Sequence, residues 1–138
     1  MTRRMFAPGP FKDSIAIIVD SKENGAIAKA SLLLAQEWTA KNISLALDLA
    51  KSFVIAFAPP PDRDRYARLS RMLGDVGRPE VARAMQATAP DESEEIRCVR
   101  AFLGLVSSAS MTTDLASVSF SNVTDEQRPA QEIIFSLY

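Results

Sequence analysis

Asn42 to Ala58 reads NISLALDLAKSFVIAFA and runs straight into Pro59-Pro60-Pro61. At helical period Ile43, Leu47, Ala50, Val54 and Phe57 fall on one line, and Ala46, Leu49, Phe53 and Ala56 fall on the next. Ser44, Asp48, Lys51 and Ser52 leave only a narrow polar stripe, with Ile55 beside it. A helix apolar over most of its circumference needs cover on nearly every side, from its own fold or from a partner. The prolines stop it, because each lacks an N–H and Pro60 and Pro61 push their predecessors out of the α region. Asp48 and Lys51 are three apart, within reach of each other across the stripe. They also interrupt a run already short of the roughly 20 apolar residues of a membrane span.

The rest of the chain is arranged to suit this segment. Its 138 residues are enough for one domain with a real core. Charged residues make up 24% and the net charge is −1, so no global field argues for nucleic acid or an anionic membrane. The signs are unevenly laid out: all lysines lie at or before Lys51, and all arginines except Arg3 and Arg4 lie at or after Arg63. Histidine is absent, which removes Ser-His-Asp and Cys-His catalysis and histidine-ligated metals. Cys98 is the single cysteine, so no internal disulfide forms, which fits a reducing, cytoplasmic setting. The N-terminus carries positive charge without an apolar run behind it, unlike a signal peptide.

Residues 1–11 read as an extended arm, broken by Pro8-Gly9-Pro10 and able to pin itself to a surface through Phe6 and Phe11. Residues 12–138 read as a single helical domain. Asp13 to Asn24 is short and β-branched, and admits strand or helix; Asn24-Gly25 closes it. Ala26 to Lys41 is alanine-rich, with Ile27, Ala30, Leu34 and Trp38 on one helical face. Asp62 to Gly74 reads as a helix with aspartates in its first turn and Tyr66, Leu69, Met72 and Leu73 inward. Pro79 opens a second short helix, as proline does in a first turn. Asp91 to Ser107 reads as another, with Asp91 three before Glu94 in a capping pattern and a stripe of Ile96, Val99, Leu103 and Val106. From Ser108 the serine content rises. Val118-Ser119-Phe120-Ser121 alternates like a strand, Thr124-Asp125-Glu126 looks like a helix start, and EIIFSLY at the end is apolar enough to dock. The expected fold is therefore all-α, about six helices with proline and glycine breaks. The alternative is α+β, with a small sheet from residues 15–20, 117–123 and 132–138.

Arg63, Arg65, Arg68, Arg71, Arg78 and Arg83 flank the Gly74–Gly77 bend. Helix, glycine turn, helix is the outline of a helix-turn-helix, but the turn is long and few side chains suit base reading. Phosphate contact needs only the arginines. A solvated, salt-bridged helix face is the simpler account of them, since Asp62, Asp64, Asp75 and Glu80 are interspersed. The prolines serve as a helix stop before they serve as a polyproline ligand. Cys98 lies beside an apolar stripe and reads as a structural thiol. Asp62-Arg63-Asp64 points its acids apart on a helix, a poor metal site. Glycines at 9, 25, 74, 77 and 104 make no phosphate-binding loop. The sequence thus points to a non-enzymatic interaction or assembly module that self-associates, needs no cofactor or metal, and does not cross a membrane. Its candidate interface residues are Phe6, Phe11, Phe53, Ile55 and Phe57. The alternative is a nucleic-acid-binding protein that contacts RNA or DNA phosphates through residues 63–83.

Overall fold

Alternation of apolar and polar side chains, rather than the helical period, sets the architecture at both ends of the chain. A computed structural model describes residues 2–7, 9, 13–86, 93–123 and 129–138. Six strands form one antiparallel sheet: β1 (Thr2–Phe6), β2 (Ile15–Ser21), β3 (Ile27–Ala35), β4 (Ser108–Thr112), β5 (Ala116–Val123) and β6 (Ala130–Leu137). Their spatial order is β1-β2-β3-β6-β5-β4. Between β3 and β4 run α1 (Gln36–Lys41), α2 (Ile43–Phe57), α3 (Arg63–Asp75), α4 (Pro79–Gln86) and α5 (Glu94–Phe102), with a 3-10 turn at Pro60–Asp62.

This overturns the expected all-α domain of about six helices: the chain is α+β, with five helices among the described residues, and "helical" does not describe it. The three segments raised for a small sheet lie in β2, β5 and β6, within a sheet of six strands rather than three. Residues 2–6 of the presumed arm are an edge strand. Phe11 and the Thr124 helix start lie outside the described residues.

The main departure is Ala26–Lys41, expected as a helix. Its first nine structured residues are the central strand β3, and only Gln36–Lys41 is helical. Alanine and leucine favour helix locally, but β3 is paired on both sides, and pairing plus burial override the local preference. Ala30, Leu32 and Leu34 are buried beneath the helices, while Leu33 occupies the opposite face. A strand apolar on both faces shows no clean alternation, so its sequence fits a helical stripe equally well. Asn24-Gly25 makes the hairpin into β3: Gly25 takes φ +85°, and the Ala26 N–H donates to Asn24 Oδ1 at 3.0 Å.

Side chains on the helix side of the sheet form the core. One cross-strand row holds Ile17, Leu32, Ile133 and Phe120; the next holds Val19, Ala30, Phe135, Val118 and Met111. The α2 residues Ala46, Leu47, Ala50, Phe53 and Val54 pack there, as do Tyr66, Leu69 and Leu73 of α3 and Cys98, Val99 and Phe102 of α5. The Tyr66 ring lies 5.0 Å from that of Phe135, and its hydroxyl donates to Ala116 O at 3.4 Å. Among the described residues the opposite face carries no helix. Its rows read Met5, Ile18, Ser31, Ile134, Ser119, Ser110; Arg3, Asp20, Lys29, Ser136, Ser117, Thr112; and Ala16, Leu33, Glu132, Ser121, Ser108. Hydroxyls and charges predominate, as on the wet side of an antiparallel sheet.

Helix α5 is fixed at both ends. Ser93 Oγ accepts from the Ile96 N–H at 3.3 Å and caps the helix, while Asp91 lies outside the described residues. At the other end two sheet amides supply donors. Asn122 Nδ2 donates to Ala101 O at 3.0 Å and to Val106 O at 3.3 Å, and Gln131 Nε2 donates to Phe102 O. The Ala101 and Phe102 carbonyls belong to the helix terminus, where partners inside the helix run out, and Val106 lies in the turn beyond it. Ala101 O also accepts from the Gly104 N–H at 3.1 Å, so Asn122→Ala takes away a supporting donor there and the described donor of Val106 O, and urea unfolding is expected to show a loss of about 1–3 kcal/mol. Ser119→Ala on the wet face serves as control and is expected to stay within roughly 0.5 kcal/mol of wild type.

Candidate interaction surfaces

The sequence placed an interface on α2, and the fold uses most of that surface internally. Phe53 is buried in the chain's own core, its ring 5.0 Å from that of Phe57. Ile55 and Phe57 are half-buried, and Phe57 packs against the core. Ile43 and Leu45 in the first turn are the exposed large apolar residues of α2. Lys51 lies along α3, its side chain over Gly74, and Ser70 Oγ donates to its carbonyl at 3.3 Å. Of the interface candidates among the described residues, Phe6 alone stands clearly exposed, at 52%, on edge strand β1 beside Met5.

All six arginines are exposed, but they do not form one patch. Arg65 turns towards α5, 3.0 Å from Glu94 and 3.8 Å from Glu95. Arg78 pairs with Asp75 at 3.4 Å, and Arg83 Nε donates to Pro79 O at 3.4 Å. Among the described residues, Arg63, Arg68 and Arg71 make no ion pair. Arg68 and Arg71 are three apart and share the outer face of α3. The acids between them are accounted for differently. Asp62 accepts from Thr113 Oγ1 at 2.5 Å and ties the turn before α3 to the β4–β5 turn. No cluster of three or more acidic, Cys or His groups suited to a metal occurs among the described residues. Cys98 is fully buried. Burial, with Glu94 and Glu95 nearby, pushes its thiol up to about 12, so it stays protonated and is a poor nucleophile.

The sequence did not announce the two edges of the sheet. Antiparallel pairing alternates the direction of backbone groups along a strand. The Asn122 N–H donates to Ser107 O, and the Thr113 N–H donates to Ala116 O, so odd-numbered residues of β4 face β5. Ser108, Ser110 and Thr112 therefore direct their N–H and C=O groups away from the sheet, and all three are exposed. A polar groove of about 540 Å³ runs beside this edge, lined by Glu94 and Arg97 of α5, by Ser108, Ala109, Ser110 and Thr112 of β4, and by Ser119. At the other edge all five β1 residues are exposed. That strand is held by Arg3, whose Nε and Nη2 reach the two carboxylate oxygens of Asp20 at 2.8 and 3.1 Å.

Among the described residues no helix is long and apolar enough to cross a membrane. The architecture is that of a two-layer α+β protein, a single antiparallel sheet with helices on one side. Comparison with protein-family models, curated proteins and solved structures finds no match.

The Arg3 hydrogen bonds hold the Asp20 carboxyl below its ordinary range, against the opposing effect of burial and with help from the charges of Arg3 and Lys29. A carboxyl lowered on folding stabilises the fold above its unfolded pKa, and that contribution fades as pH falls through the folded value. Asp20→Asn is expected to be less stable than wild type at pH 6. The gap should close below about pH 4, followed by urea unfolding across the range.

Proposed function

We propose that this chain is a non-enzymatic assembly module that self-associates through the strand edges of its sheet. One observation carries the proposal: both edges of the sheet are uncovered among the described residues, so two rows of backbone donors and acceptors face outward. Such rows are templates for pairing with another chain unless charge, proline or cover blunts them. Exposed Met5 and Phe6 on β1, and exposed Ile43 and Leu45 on α2, add apolar surface for contact. Size-exclusion chromatography with light scattering over a wide concentration range is the test. The expected mass is a multiple of the 15.1 kDa chain. A 15.1 kDa species at every concentration would overturn the proposal.

Arg63, Arg68 and Arg71 support a second role, contact with nucleic-acid phosphates. They are exposed and, among the described residues, without ion pairs, while Arg65 and Arg78 are engaged elsewhere. On this reading a fluorescent single-stranded oligonucleotide binds with an affinity that falls steeply with salt, and Arg68→Glu with Arg71→Glu abolishes binding. Equal binding by wild type and double variant would exclude it.

A further inference from the structure

Resting on the assembly reading above, we infer that the partner is a second copy of this chain and that the two copies join β4 to β4, antiparallel about Ser110, into one sheet of twice the width.

The two edges are not equivalent. β1 carries Arg3 and Arg4 within five residues. Pairing β1 with its own copy about its centre sets Arg4 opposite Arg4, a like-charge contact that disfavours the join. β4 reads SASMT, with no charge and no proline, so apart from its shortness it carries none of the protective side chains of a guarded edge.

The outward row of β4 is also self-complementary. A two-fold axis at Ser110 sets Ser110 opposite Ser110 and Ser108 opposite Thr112 of the other copy. These are the residues whose backbone groups already point outward, so each exchanges both N–H···O bonds with its opposite number. Their side chains are small hydroxyls on the wet face, where none of the described residues obstructs the approach. On the helix side the same axis sets Ala109 across from Met111 of the other copy, whose side chain is already buried in its own core and so leaves no bulk in the way. Closed two-fold contacts of this kind stop at the dimer rather than running on as fibres.

The groove beside the edge fits the same partner. Its two charged residues, Glu94 and Arg97, have opposite signs, so two grooves meeting across the axis oppose no net like charge. Glu94 is held in place by Arg65, which fixes the start of α5 relative to the edge. The short strand limits the contact, so the dimer is expected to dissociate measurably on dilution.

The test uses the full chain with Ser110→Lys, Ser110→Asp and an equimolar mixture of the two, followed by light scattering and native mass spectrometry. The Ser110 backbone N–H faces away from β5, and its side chain lies on the wet face, so both variants are expected to keep the wild-type far-UV circular dichroism. Each single variant is expected to be monomeric, since like charges then face each other at the axis. The mixture is expected to recover a dimer, and that dimer should contain one copy of each variant. A wild-type multimer that persists in both folded variants would overturn β4 pairing and leave self-association intact. Monomeric variants whose mixture stays monomeric would overturn the two-fold pairing at Ser110. A wild-type protein that is monomeric at all concentrations would overturn both this inference and the assembly reading.

Discussion

The pairing of β3 with β6 is the join on which the rest of the molecule depends. It runs from Lys29 opposite Ser136 to Ala35 opposite Ala130. On one side of it lies an N-terminal meander of three strands, and on the other a C-terminal meander of three. Among the described residues neither has a second sheet to pack against, and each alone would leave one edge of its most apolar strand bare. The helices from α1 to α5 fill the interval in sequence and cover the helix side of the join. Tyr66 shows how closely these parts are bound together, since it stacks on Phe135 of β6 and bonds to the backbone of β5. Closing so long a loop costs entropy that grows only slowly with its length.

Sequence made some of this visible and hid the rest for identifiable reasons. The helices α2, α3 and α5 were legible because each buries one face, and Tyr66, Leu69 and Leu73 took the inward positions that their spacing indicated. Proline marked the end of α2 and the start of α4 as its chemistry dictates. β3 was illegible because Leu32, Leu33 and Leu34 serve two faces at once, which erases the two-residue period. β4 was illegible for the opposite reason. Its hydroxyl residues alternate correctly, but Ser108, Ser110 and Thr112 sit among other serines and look like a loop. No single residue announces an edge, because an edge is a property of strand order.

The same limits applied to the surfaces. The arginine cluster was plain in the sequence, yet only the fold brings Glu94 to Arg65 across 29 positions and so divides the cluster. The apolar girth of α2 was read correctly as a demand for cover. The missing information was that β3, β6 and α3 meet most of that demand, leaving Ile43 and Leu45 exposed. Attention therefore moves from the helix to the sheet, where charged β1 and uncharged β4 give the two rims different chemistry.

The position of β6 at the end of the sheet-forming sequence has a cost during synthesis. Ribosomes work from the N-terminus, so β1, β2 and β3 emerge while β6 is still unmade. Roughly a hundred residues separate β3 from its partner, which at about 5–20 residues per second leaves that edge bare for several seconds or more. Throughout this time the nascent polypeptide displays Leu32-Leu33-Leu34 beside unsatisfied backbone groups, a surface that chaperones recognise and that neighbouring nascent chains can capture. The strand that later becomes the most protected in the molecule is, at its birth, the most vulnerable.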